Sequence, residues 1–356
     1  MRAATLANLK SKDMKKKHIF ATLAFMALGI GLTSCSEDLG VNYEQKDELY
    51  REMISFKAPV GSNGIYDIYM RYRDDGTASY KLPVLVSGTK TNGRDITVNI
   101  GVDNDTLAIL NTERFAVNRE DLWFRQLPEK FYSFSSDRCV VKAGQNTALY
   151  PIEFNMQGID LSEKWVLPIT VLDGDYEKNT RKGYYKALLG VNLFNDYSGK
   201  YAANAMNVYI DGETNDPATV DNRTCRVVDD KTLFFYAGTI WEEDVNRKLY
   251  KVNVHFEDGE EQADGSIRGR LTITAGDPDN KIKLEPYGDC YYTYTKKAHA
   301  TKPAIERRLV SLFINYRYSD ITTDPSNPTR MDCKGSMSLE RLYNTLIPDE
   351  EQAYQW

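Results

Sequence analysis

The chain has 356 residues, with 45 Lys+Arg against 51 Asp+Glu, three His and five Cys. A hydrophobic content of 42% and a charged content of 27% exclude a fibrous or wholly disordered protein. The length is enough for two or three domains, each with its own core.

The first 34 residues read as a leader and not as fold. Met14-Lys15-Lys16-Lys17 is a basic start, and Met14 is the expected initiator. An apolar stretch over residues 19–32 follows, shorter than the roughly 20 residues of a membrane span. It ends in Leu32-Thr33-Ser34-Cys35, which has the form of a lipobox. In such a motif small residues precede a Cys whose thiol takes up diacylglycerol, and cleavage leaves that Cys first. Cys35 is therefore the expected lipidation site; the alternative is an ordinary signal peptide with an unrelated Cys behind it. Six Lys/Arg and one acid leave with residues 1–34, so 39 basic and 50 acidic groups remain, a net charge of −11. Such a chain has no general attraction for phosphate backbones, and no nucleic-acid partner is expected. Ser36-Glu37-Asp38 resembles the acidic export signal of surface-exposed Bacteroidetes lipoproteins. The expected location is the outer membrane, lipid-anchored and facing outward, with residues 35–47 as a polar tether.

Period two dominates residues 48–194. Ile96, Val98, Ile100 and Val102 share one face, and Thr97, Asn99 and Gly101 the other. Tyr66, Ile68, Met70 and Tyr72 alternate in the same way, as do Tyr80, Leu82, Val84 and Val86. So do Ala148 to Phe154, Trp165 to Val171 and Tyr185 to Val191. Six or seven such strands predict an immunoglobulin-like antiparallel sandwich with one wet face per sheet. Pro83, Pro151 and Pro168 each remove a ladder donor, which predicts edge strands or bulges there. Helical spacing is expected over 44–54, and one or two turns each over 105–115 and 118–127.

A boundary is expected near Asn195-Asp-Tyr-Ser-Gly199. Eight to ten further strands follow over residues 195–345, separated by Gly/Asp-rich turns such as Ala275-Gly-Asp-Pro-Asp-Asn280. Short connections between sequential strands predict an up-and-down barrel-like domain, since closure would abolish its edges. Residues 346–356 read as a loose tail. The fold class is thus all-β.

Chemistry is sparse. Cys139, Cys225, Cys290 and Cys333 contain no C-x-x-C pair; they could form two disulfides in three connectivities, and buried thiols on strands is the favoured reading. His255 falls on the polar side of a strand. Phosphate-binding glycine loops and the H-E-x-x-H zinc signature are missing from the sequence. Asp103-Asn-Asp105 and Asp277-Pro-Asp279 are oxygen-rich but fit solvated turns better than the twelve-residue calcium loop. No cofactor and no metal are expected.

The compositional signal is aromatic: 12% of residues, 24 of them Tyr. Aromatic faces bind sugar rings at small entropic cost, although Tyr is also a favoured strand residue and most of these must be structural. Trp241, in Thr239-Ile-Trp-Glu-Glu-Asp244, closes an apolar run beside three acids able to accept sugar hydroxyls, and is the leading carbohydrate platform. Tyr236 and Tyr209 are companion candidates. Trp165 reads as core, Trp123 as ambiguous and Trp356 as a mobile terminus.

The segments Asp95 to Ile100, Leu127 to Tyr132, Ala143-Gly144 and Lys164 to Thr170 resemble an uncharacterised N-terminal domain of Bacteroidetes lipoproteins encoded beside SusC/SusD-type glycan importers. Phe194 to Tyr201, Ile314 to Tyr318 and Lys334 to Arg341 resemble its uncharacterised C-terminal partner domain. The resemblance covers about residues 48–345 and marks scaffold positions. It implies a non-catalytic, surface-anchored glycan-binding accessory to a SusC/SusD-like importer. The alternatives are a structural or adhesin-type lipoprotein with protein partners, and a glycan-processing enzyme with an unrecognised carboxylate pair.

Overall fold

The computed structural model describes residues 51–88, 91–348 and 352. The expected leader, Cys35, the tether up to residue 47 and Trp356 lie outside the described residues. Among those described, the architecture is all-β with one α-helix and four single 3-10 turns.

The first domain has eleven strands. They are β1 (Met53–Phe56), β2 (Tyr66–Arg71), β3 (Thr77–Ser87), β4 (Ile96–Val102), β5 (Phe124–Gln126), β6 (Tyr132–Phe134), β7 (Arg138–Val141), β8 (Thr147–Asn155), β9 (Lys164–Val171), β10 (Glu177–Lys178) and β11 (Lys186–Phe194). The helix α1 (Thr106–Arg114) lies between β4 and β5, within the expected 105–115 turns. One sheet runs β10, β1, β3, β8, β6 and the other β2, β11, β9, β4, β7, with β5 added beside β9. Ile54, Leu82, Val84 and Ile152 from the first sheet pack with Val98, Leu167, Ile169 and Leu189 from the second. Most pairings are antiparallel; β1–β10, β2–β11 and β5–β9 are parallel. Of the helix expected over 44–54, residues 44–50 lie outside the described residues, and Met53 and Ile54 are on a strand instead, paired with Ser87 and Val86.

Two further expectations need correction. Pro83, Pro151 and Pro168 lie on interior strands, not edges. Each sits one residue beyond the end of a shorter neighbour: Pro83 after the Phe56–Val84 pair, Pro151 after Phe134–Ile152, and Pro168 after Val102–Ile169. The missing N–H therefore falls where the ladder has already stopped. The second sheet has no wet outer face along β9 and β11, because Leu107 of α1 and Phe124 cover Ile65, Val166 and Leu188 there. That cover turns β11 into a nearly continuous buried run, the pattern of a strand buried on both sides.

The second domain is a meander of β12 (Gly199–Ile210), β13 (Ala218–Thr219), β14 (Asn222–Val227), β15 (Thr232–Tyr236), β16 (Lys251–Phe256), β17 (Glu260–Glu261), β18 (Ile267–Ala275), β19 (Glu285–Pro286), β20 (Tyr291–Ala298), β21 (Ile305–Asp320) and β22 (Thr329–Asn344). Strands β12, β14, β15, β16, β18, β20, β21 and β22 pair antiparallel in that order, and β22 returns to β12. The result is a closed eight-stranded up-and-down barrel with no principal edge left open. Its inside is packed: Tyr201, Phe235, Phe256, Tyr316 and Tyr318 are all buried. Two of these buried tyrosine hydroxyls find partners, while that of Tyr318 has none among the described residues. Tyr201 donates to the Tyr197 carbonyl at 2.5 Å, and Tyr316 accepts from Gly238 N–H at 3.0 Å. Much of the tyrosine content is therefore core.

The connection from β11 to β12 is four residues long and tied down. The buried Asn195 side chain accepts from the N–H groups of Tyr197 and Ser198 and donates to the carbonyls of Asp229 and Asp230. Tyr197 stacks on Phe256 with centroids 3.9 Å apart.

All four described cysteines are free and buried, three of them on strands, as favoured from the sequence. Burial alone pushes the Cys139 thiol up to about 11. His255 is exposed on β16, its Nδ1 2.9 Å from the Thr232 hydroxyl. Asp103 is not a solvated turn residue. It is buried, and its carboxylate accepts from the Asp105 and Thr106 N–H groups, the Thr106 hydroxyl and the Lys186 ammonium.

Candidate functional site

The sandwich and the barrel meet around the long loop 237–250 between β15 and β16. Arg247, on this loop, is buried; its Nη2 donates to the Asp121 carbonyl at 2.6 Å and its Nη1 lies 3.3 Å from the Asp121 carboxylate. Arg119 holds the other side of Asp121 at 2.9 Å and also donates to the Glu243 carbonyl. Lys248 and Arg125 both engage Glu163, and Lys251 reaches Asp160 at 3.1 Å. The contacts of Arg247 with Asp121, Arg119 with Glu243, Lys248 with Glu163 and Lys251 with Asp160 run from one domain to the other and fix the walls of the space between them.

That space is a cleft of about 490 Å³. The sandwich supplies Tyr69 from β2, Phe115 after α1, Lys164 and Trp165 at the start of β9, and Asn192 from β11. The barrel supplies Lys200, Thr224, Arg226, Tyr236, Glu242 and Glu243. Aromatic side chains among a larger number of charged and polar ones, at a domain junction, suit a polar small ligand. Phe115 meets Phe124 edge-on at 5.5 Å, and the Trp165 indole N–H is fixed by the Asp160 carbonyl at 2.8 Å, so the walls are held in place.

Four of the nine charged side chains on the lining are held in ion pairs. Arg226 and Glu242 form an ion pair at 2.5 Å. Burial opposes ionisation of Glu242, and the charge and hydrogen bond of Arg226 overcome it, so its carboxyl stays below its ordinary pKa. Glu163 and Arg247 spend their charges on the domain contacts. Lys164 makes no ion pair among the described residues. Its ammonium lies 5.8 and 6.0 Å from the ring centres of Phe115 and Phe124. Burial holds its pKa below the ordinary lysine value, and Glu243 only partly offsets this.

A larger groove of about 820 Å³ runs over the barrel exterior beside β18. Its aromatic faces are already covered: Tyr291 lies between Arg268 at 3.9 Å and Phe313 at 4.4 Å. Arg317 sits 4.4 Å over Tyr287. The junction cleft is the better candidate.

The structure divides the sequence candidates. Tyr236 is buried and lines the cleft, and burial pushes its hydroxyl up to about 12. Trp241 is 69% exposed and stands next in the chain to Glu242 and Glu243 at the cleft wall. Of the three acids beside it, Glu242 is engaged by Arg226, and Asp244 accepts from the Asn246 N–H at 2.9 Å. Tyr209 is not brought to the same place. It lies nine residues along β12 from Lys200, roughly 30 Å of strand, under the Lys334 ammonium at 4.5 Å. Trp165 reads as core in the sequence, yet it is only half-buried and lines the cleft. Sequence reasoning missed Phe115, Lys164 and Arg226 altogether.

Comparison with known proteins fits this two-part build. The family model described as Domain of unknown function (DUF4973) matches residues 45–175, and a second model, for a C-terminal domain, matches residues 185–338. A crystal structure from Bacteroides ovatus, of unknown function, is 42% identical, covers 86% of this chain and is covered over 100% of its own, with a TM-score of 0.74. This chain belongs to the two-domain DUF4973 family of Bacteroides proteins. A second member, a multidomain protein including DUF1735 from the same species, is 41% identical with the same coverages and a TM-score of 0.73. A third, described as an auxiliary nutrient binding protein from Bacteroides thetaiotaomicron, is 33% identical over 86% of this chain and 100% of that one, with a TM-score of 0.72. No protein with a curated description matches this DUF4973 chain.

Proposed function

We propose that this protein binds oligosaccharide in the junction cleft without converting it chemically. In this reading Trp241 is an exposed stacking surface at the rim, and Tyr236 and Trp165 form part of the wall. The observation that carries the reading is the cleft itself, whose volume lies within the usual range for small-ligand sites and whose walls carry both aromatic and hydrogen-bonding groups. The auxiliary nutrient binding description of a full-length relative points the same way.

A binding role without chemistry is supported by the state of the acids. Among the described residues, every Asp or Glu with a shifted pKa is shifted down, as Glu242 and Asp160 are. A glycosidase needs one carboxylic acid held up, ready to protonate a leaving group. We place the protein at the outer membrane, anchored through Cys35, as an accessory to a SusC/SusD-like importer; the lipobox-like Leu32-Thr33-Ser34-Cys35 and the acidic Ser36-Glu37-Asp38 support this. Affinity electrophoresis against a polysaccharide panel tests the binding reading. Retardation by at least one glycan, weakened in Trp241→Ala, is expected, and migration unchanged by every glycan would refute it. Palmitate labelling abolished by Cys35→Ala tests the anchor.

A further inference from the structure

We infer that the junction cleft takes an acidic saccharide, with the negative group of the sugar seated at Lys164. The inference rests on the oligosaccharide reading above and adds the charge of the ligand to it.

The argument is one of charge balance inside the cleft. Glu242 is neutralised by Arg226 at 2.5 Å, and Glu163 by Lys248 and Arg125 from outside the cleft. Arg247 is neutralised by Asp121. What remains within the walls is the half-buried Lys164, which has no ion-pair partner among the described residues. The remaining charged residues on the lining, Asp67, Glu243, Lys200 and Arg114, are exposed. Arg226 adds a second unspent donor: its Nη2 is taken by Glu242, while its Nη1 is buried and has no hydrogen-bond partner among the described residues. An ammonium beside two phenyl rings, on the same cleft wall system as a guanidinium with a donor to spare, is arranged to receive an anion. A neutral sugar would leave that charge uncompensated in a partly dry site. Burial lowers the Lys164 pKa, and Glu243 and Glu242 offset this only in part. Both a uronate carboxylate and a sugar sulfate carry this chemistry.

The test is isothermal titration of the mature chain with four probes: oligogalacturonate, its methyl ester, a neutral oligogalactoside and a sulfated oligosaccharide. Lys164→Met keeps the aliphatic stem against Phe115 and removes the charge, and Lys164→Arg restores the charge. The expected result is that the carboxylated or the sulfated probe binds at least about tenfold more tightly than the ester and the neutral sugar. Lys164→Met should erase that preference and Lys164→Arg retain it, with melting temperatures unchanged. A response to only one of the two anions supports the inference and names the anion. Equal binding of neutral and acidic probes, or a preference that survives Lys164→Met, overturns it and leaves the oligosaccharide reading standing. Binding of no saccharide at all overturns both.

Discussion

Arg247 of the barrel grips Asp121 of the sandwich twice, through the backbone carbonyl at 2.6 Å and the carboxylate at 3.3 Å, while itself buried. A third bond, to the Asp244 carbonyl at 3.1 Å, holds its own loop to the same point. One guanidinium thus fastens the loop 237–250, and with it one wall of the cleft, to the first domain. Arg247→Ala should cost roughly 2–4 kcal/mol, because three acceptors lose their donor and the Asp121 carboxylate keeps only Arg119. Denaturant unfolding would register this as a lower midpoint. An unchanged midpoint would show that the contact does not fasten the domains.

Asp103 predicts an acid limb. Burial opposes its ionisation, and the Thr106 hydroxyl, the Lys186 ammonium and two N–H groups outweigh that, leaving its pKa below the ordinary value. A carboxylate depressed by folding contributes fully above its unfolded pKa of about 3.9, and the contribution is lost as pH falls through the folded value. The melting temperature should therefore hold between pH 7 and 5 and fall below about pH 4. Asp103→Asn should lose about 2 kcal/mol at pH 7 and show a shallower acid limb. Parallel limbs in the two proteins would remove Asp103 from the explanation.

Two glycines separate backbone strain from collision. Gly144 has φ +80 with open space where a Cβ would stand. Gly335 has φ +141, and its Cβ would lie 2.0 Å from the Ala205 carbonyl oxygen, opposite the register shift in β12. Gly144→Ala should cost about 1 kcal/mol, whereas Gly335→Ala should cost several kcal/mol or prevent barrel closure. Thermal melts of the two variants compare them directly, and equal losses would contradict the closure geometry. Both positions fall in segments that carry the family resemblance, consistent with a resemblance of scaffold.

The barrel was legible because alternation and turns act locally. Leu271 and Ile273 face in while Arg270 and Thr272 face out, and β16, β20 and much of β21 alternate in the same way. Alternation misleads where a second layer covers the outer face. β15 is buried at every position because the junction lies over Phe234 and Tyr236, and β11 is nearly so because α1 and Phe124 lie over it. The prolines were misread for a related reason: strand length, not strand order, decides where a donor can be missing. The cleft itself had no local signature. Lys164 and Tyr236 are 72 positions apart in the chain and meet only through the domain contacts around Asp121 and Glu163. Trp241 stands out because its exposure follows from a loop position, whereas Trp165 shares its strand with core residues and has the same alternation as they do.

The most direct measurement of the cleft as binding site is titration of a blocked variant. Asn192 lines the cleft from β11 and bonds only near the rim, to Asp67 at 3.1 Å and the Gly190 carbonyl at 3.3 Å, so Asn192→Trp should fill the space without disturbing the core. Against the oligosaccharide that retards the wild type most, calorimetry should show affinity reduced at least about tenfold in Asn192→Trp and unchanged in Tyr209→Ala, with both variants melting as the wild type does. Full affinity in the blocked protein would place the sugar elsewhere and contradict the account.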